Sequence, residues 1–168
     1  IFEANVYVMS PKGRVIDLPN GSTPIDFAYK IHTQVGHTMV GAVVNGTMVP
    51  LTYILKTGDV VDIKTNKNTG PSEDWLNIAK TTSALNHIRK YLSKQNVLLN
   101  KDEAIARGKE LFTIACRTDG VNFEEALKLL NDEKYKRIRV YPSVDDMYAA
   151  IGNRHVSASN ISSKIRAE

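Results

Sequence analysis

The hydrophobic period changes once along the chain, at residues 66–72, and that change constrains the fold more than any other feature. Before it, apolar side chains alternate every second position; after it, they recur every three or four. The stretch between, NKNTGPS, is polar and carries Gly and Pro, as a linker does. The expected organisation is an α+β domain over residues 1–65, a linker over 66–72 and a small all-α domain over 73–168.

In the first part, ANVYVMS places Val6 and Val8 on one face, PKG supplies a turn, and RVIDLP follows, which together read as a hairpin. In NGSTPIDFAYKIH, Ser22 or Thr23 can cap a helix whose first position is Pro24, where the missing amide hydrogen costs nothing. Asp26 falls in the first turn, at the positive end of the helix dipole. Ile25, Ala28 and Tyr29 share a face, so the helix should lie on a sheet. MVGAVVNGTMVPL gives strand, Asn45-Gly46 turn, strand, and KTGDVVDIKT a last strand. The order β-β-α-β-β-β predicts a ubiquitin-like β-grasp, one helix crossing a mixed sheet.

The second part offers helix starts in series. Ser72 precedes EDWLNIAK and Ser83 precedes ALNHIRKYLSKQ. Asn100 with Glu103, Asn122 with Glu125, and Ser143 with Asp146 have capping-box spacing, and Ser157 opens a last short helix. Gly152 stands where a left-handed C-terminal cap is expected.

Composition excludes several classes. No apolar run approaches the roughly 20 residues of a membrane-spanning helix, so no membrane role is expected. The chain opens on Ile1, without a secretory leader, and reads as an internal piece of a longer protein. A single cysteine, Cys116, excludes an internal disulfide and points to a reducing, cytoplasmic setting. The net charge of +4 suits a nucleic-acid partner without requiring one. Residues 1–70 carry six basic and five acidic side chains, so contact should be local, not through a cationic arm.

No catalytic constellation is visible. The carboxylates are scattered, Cys116 sits on the apolar side of a helical run, and no phosphate-binding glycine loop is present. His32 and His37 are five apart across a helix end, which does not place them on one helical face, and His87 and His155 fall in the helical half. No metal and no cofactor are expected. What remains is binding. His32 is either a cap over the last carbonyls of its helix or an exposed imidazole able to stack on an unpaired base and donate to a phosphate or ribose hydroxyl. Gly36 would allow close backbone approach, with Lys30, Thr33, Gln34, His37 and Thr38 around the same joint. Two basic patches are candidates for RNA contact: Arg89, Lys90 and Lys94 on a helix face, and Lys134, Lys136, Arg137 and Arg139 in KYKRIR. The plain reading of the first patch is the solvated face of its helix, and of the second a solvated strand or loop edge.

The stretches VYVMSPKGRVIDLPNGSTPIDFAYKIHTQVGH and VGAVVNGTMVPLTYILKTGDVVDI, with DWLN and the tail VDDMYAAIGNRHVSASNI, resemble the TGS domain and helical region of long RelA/SpoT-type alarmone synthetase/hydrolases. Threonyl-tRNA synthetases and some Obg-like GTPases also carry TGS domains; the helical tail favours the alarmone enzymes. The resemblance implies a non-catalytic regulatory module of a stringent-response enzyme that makes or degrades (p)ppGpp, with its catalytic domains elsewhere in the parent. It implies that the TGS domain grips the free CCA end of deacylated A-site tRNA, with His32 at the contact, and that the helical region lies along tRNA and ribosomal RNA. It also implies an alternative: docking of acyl carrier protein or of the parent's own catalytic domains.

Overall fold

In the computed structural model, residues 5–94 and 100–168 are described, and they fall into two compact units. The first comprises the chain up to Pro71 together with the helical segment from Trp75; the second comprises Ser72–Asp74 and the remainder. The change of hydrophobic period is therefore not where the packing divides: two helices after the linker pack with the sheet.

In the first unit, β1 (Asn5–Met9) and β2 (Val15–Pro19) form the hairpin, with Val6 opposite Leu18 and Val8 opposite Ile16, all four buried. α1 (Pro24–Ile31) is followed directly by a short helix, α2 (Thr33–His37). β3 (Met39–Val44) and β4 (Thr47–Val49) pair across Asn45-Gly46, both with positive φ as a two-residue turn of this hand requires. β5 (Val61–Thr65) lies antiparallel on the other side of β3, and a parallel bridge between Met9 and Val60 joins the hairpin to it. Phe27 of α1 packs with Val8, Leu18, Val44, Leu55 and Val61 under this sheet. α3 (Trp75–Ile78) and α4 (Thr82–Lys94) complete a second cluster, in which Trp75, Ala84 and Ile88 meet Ile25, Ala28 and Tyr29.

Asp26 ties these parts together. It is 1% exposed, yet its carboxylate accepts from Thr23 N–H and Oγ1–H on one side. On the other it accepts from Lys80 N–H, Thr81 N–H and Thr81 Oγ1–H. Thr81 Oγ1 then accepts from Ala84 N–H, so the cap of α4 is Thr81, not Ser83.

The second unit is helical: α5 (Lys101–Asp119), α6 (Phe123–Asn131), a 3₁₀ turn at Glu133–Tyr135, α7 (Lys136–Arg139), α8 (Val144–Gly152) and α9 (Ala158–Arg166). Asn100, Asn122, Ser143 and Ser157 each accept a backbone N–H three residues on, as their spacing predicts. Gly152 departs from expectation. It is the last residue of α8 and lies against α5, where an added Cβ would come 2.0 Å from the Ala104 carbonyl oxygen; the left-handed residue is Arg154, at φ 63°. Gly108 of α5 faces the Tyr148 carbonyl in the same way, at 1.8 Å. The two glycines let the α5 and α8 backbones touch, and Phe112, Met147, Tyr148 and Ile151 fill the core beside them. Asp74 Oδ2 accepts from Ser157 N–H and from Ser157 Oγ–H, which fastens the segment 72–74 to the start of α9. Among the described residues, no helix is long and apolar enough to cross a membrane.

Candidate nucleic-acid interface

The joint between α1 and α2 is a single extended residue, His32, at φ −168° and ψ 143°. It closes α1, with its N–H donating to the Ala28 carbonyl, and opens α2, with its ring Nδ1 accepting from Gln34 N–H at 3.0 Å. This second bond fixes the ring's orientation and its neutral tautomer, because an accepting Nδ1 leaves the hydrogen on Nε2. The side chain is exposed. The imidazole therefore caps a helix, but the one after it rather than the one before, and it still offers a ring face and an N–H donor.

Around it, Lys30 and Gln34 are exposed and Thr33 is half-buried. Lys30 also lines a cleft of about 210 Å³ with Asp17, Tyr29 and Ser83. The Thr38 hydroxyl donates to the Gln34 carbonyl at 2.7 Å, so its hydrogen is committed within the turn. Two residues expected at the ligand serve the fold. Gly36 is buried against Tyr29, where a Cβ would lie 2.3 Å from the ring, so its bareness admits that ring and not a ligand. His37 is half-buried, with Nδ1 3.0 Å from the Tyr29 hydroxyl and its ring on Tyr91 at 4.9 Å. Burial, with His87 and Lys94 adding to it, pushes the His37 imidazole below its ordinary pKa, so it is neutral near pH 7.

Sequence reasoning missed the partners of His37. His87, assigned by pattern to the helical half, stacks on Tyr29 at 5.8 Å and stands 6.5 Å from His37. The available signal was the i, i+4 pair His87 and Tyr91 on one face of α4. Among the described residues, no group of three or more His, Cys, Asp or Glu is placed to hold a metal ion.

Arg89, Lys90 and Lys94 are exposed on α4. In the second unit, KYKRIR is helical, not a strand or loop edge. Lys134 and Arg137 flank the Tyr135 ring at 5.5 and 5.7 Å, Arg137 pairs with Glu168, and Lys136 is exposed. Arg139 does not belong with them. It is 4% exposed and donates to the Leu130 and Tyr141 carbonyls at 3.0 and 2.7 Å, so it is a structural clamp with no phosphate-facing donor.

Two antiparallel sheets joined by the Met9–Val60 parallel bridge and packed by one helix give the first unit a β-grasp-like architecture, and the family model described as "TGS domain" matches residues 6–65. Over its length the chain is 43% identical to a GTP pyrophosphokinase of Streptomyces coelicolor, covering 95% of this chain and 19% of that protein. It is 40% identical to a probable guanosine-3′,5′-bis(diphosphate) 3′-pyrophosphohydrolase of Synechocystis, covering 99% and 21%. It is 39% identical to the bifunctional (p)ppGpp synthase/hydrolase RelA of Mycobacterium tuberculosis, covering 97% and 22%. The chain is thus a TGS domain with its helical region of the RelA/SpoT type, and it spans about a fifth of the length of the curated relatives it matches.

Proposed function

We propose that this chain is a non-catalytic regulatory module of a cytoplasmic stringent-response enzyme, and that its TGS domain senses the deacylated CCA end of A-site tRNA on the ribosome. The observation that carries the reading is His32: exposed, held in one orientation by Gln34 N–H, and bearing its free donor on Nε2. A ring so fixed can stack on the terminal base and donate to its ribose or phosphate without losing rotamer entropy on binding. An aminoacylated end carries an ester in place of a hydroxyl. A site shaped around that hydroxyl rejects the ester by clash and by stranding the polar groups that would have met it. Binding then favours a synthesis-competent arrangement of catalytic domains elsewhere in the parent, a GTP diphosphokinase, a (p)ppGpp hydrolase or both, by differential affinity for two states. Arg89, Lys90, Lys94, Lys134, Lys136 and Arg137 are the side chains available to flanking tRNA and ribosomal RNA phosphates.

His32→Glu in the parent enzyme should remove activation by deacylated tRNA on ribosomes while leaving basal synthesis intact, because it puts an anion where a terminal phosphodiester must approach. Unchanged activation would end this reading. A protein-docking reading draws support from Tyr7 and Val15, 50% and 60% exposed on the outer face of the hairpin. Acyl carrier protein or the parent's own catalytic domains would then be the occupants, and His32→Glu would leave their binding unaffected.

A further inference from the structure

Two tyrosines and two histidines meet where α2 rests on α1 and α4. The Tyr29 ring lies parallel to His87, with 5° between planes, and His37 stands edge-on to both, at 5.3 Å from Tyr29 and 6.5 Å from His87. Tyr91 closes the far side of His37. A helix of five residues has no stability of its own, so α2 takes its orientation from what it touches. Its contacts with α1 include Gly36, seated on the Tyr29 ring, and the Tyr29 hydroxyl at His37 Nδ1, while Val35 packs on the cluster that holds Ile25, Ala28 and Tyr29.

The other end of α2 is His32. Its ring is tied to the first-turn amide of Gln34, so ring and helix turn together. We propose that Tyr29 and His37 are the positioning pair of the His32 site: their hydrogen bond sets the roll of α2 about its axis, and the roll sets where the His32 Nε2–H points. The inference rests on the reading of His32 as the group that meets an RNA terminus, and it adds the residues that aim it.

The protonation states favour the bond in one direction. Burial and the neighbouring Tyr91 push the Tyr29 hydroxyl well above its ordinary range, so it keeps its proton as a donor. Burial, His87 and Lys94 keep His37 neutral, so Nδ1 can accept. The groups facing His37 are Tyr29 from α1 and His87, Tyr91 and Lys94 from α4. None is a carboxylate that would draw a proton onto the ring.

Nitrogen-15 shifts of the imidazoles, which report the tautomer, together with residual dipolar couplings, which report bond orientation, separate positioning from mere structure. In the wild-type chain, His32 should give the spectrum of a single Nε2–H tautomer with an accepting Nδ1. Tyr29→Phe keeps the ring, the His87 stack and the seat for Gly36, and removes only the hydroxyl. Because the His32 ring travels with α2, it should leave the His32 nitrogens in place and change the residual dipolar couplings of the His32 ring C–H bonds and of the α2 amides relative to those of α1. It should also weaken binding of the chain to ribosomes holding deacylated tRNA about five-fold, the scale of one hydrogen bond. His37→Leu, which has no acceptor, should behave like Tyr29→Phe. His37→Asn, whose amide oxygen falls near the position of Nδ1, should restore both readouts. Wild-type His32 and α2 couplings in Tyr29→Phe overturn the proposal, as do changed couplings with unchanged tRNA affinity. If the wild-type chain ignores the tRNA terminus, the sensing reading fails, while the spectra still decide whether Tyr29 and His37 orient His32.

Discussion

Asp26→Ala should destabilise the first unit by about 4 kcal/mol, a large share of the roughly 5–15 kcal/mol that holds a domain together. The alanine strands three backbone N–H groups at once, those of Thr23, Lys80 and Thr81, and two threonine hydroxyls besides. Donors that pair with a charged acceptor lose more than donors in neutral bonds, and each left unmet costs about 1–3 kcal/mol when buried. Part of that is recovered by water, because the Lys80–Thr81 turn is half-exposed. Urea unfolding followed by Trp75 fluorescence is the direct measurement. Trp75 is the chain's single tryptophan, and it is 2% exposed in the core that Asp26 braces. A midpoint within experimental error of wild type would show that the carboxylate is not the brace. Asp26→Asn should fall between, since it retains one acceptor oxygen but turns an NH₂ toward donors.

The second large effect reverses the sign that helix propensity gives. Alanine is better than glycine in a helix interior by about 1 kcal/mol, so Gly108→Ala and Gly152→Ala would stabilise isolated helices. Here each added Cβ meets backbone, at 1.8 Å from the Tyr148 oxygen and 2.0 Å from the Ala104 oxygen. Backbone cannot rotate away as a side-chain tip does. The helices must separate, and Phe112, Met147 and Ile151 lose the contacts that close the core. Each substitution should cost about 3 kcal/mol net, read as loss of amide-exchange protection along α5 and α8. Protection equal to wild type would mean the helices part without cost.

How much of this was legible follows from the range of the interactions. The hairpins, the Asn45-Gly46 turn and the caps at Asn100, Asn122, Ser143 and Ser157 are set by residues within three or four positions, and sequence spacing reports them. Asp26 could be placed in the first turn of its helix, but not its partners, which lie 54 and 55 residues away. Those partners also decide where α4 starts: the bond to Asp26 fixes Thr81 as the cap, and Ser83, which the sequence pattern offers, is left exposed within the helix. Gly152 looks like a C-cap because the local pattern cannot show that α5 crosses it. Arg139 reads as one more cation in a basic run, since nothing nearby in sequence marks the Leu130 carbonyl as its acceptor. At the site, the sequence placed His32 at a helix joint but left open whether it capped the helix before it or stood exposed; it is exposed and caps the helix after it. The Tyr29–His37 contact was not legible, because Tyr29 reads as core and His37 as one more side chain at the ligand joint.

If His32 belongs to a receptor for an unesterified RNA terminus, the chain must tell a deacylated tRNA end from an aminoacylated one. The most direct measurement is the affinity of this chain for ribosomes carrying deacylated or aminoacylated tRNA in the A site, for wild type and His32→Glu. Wild type should prefer the deacylated end by about ten-fold or more, as expected of a site built around a hydroxyl, and His32→Glu should bind both as weakly as wild type binds the aminoacylated form. Equal affinity of the wild-type chain for the two ends would contradict it.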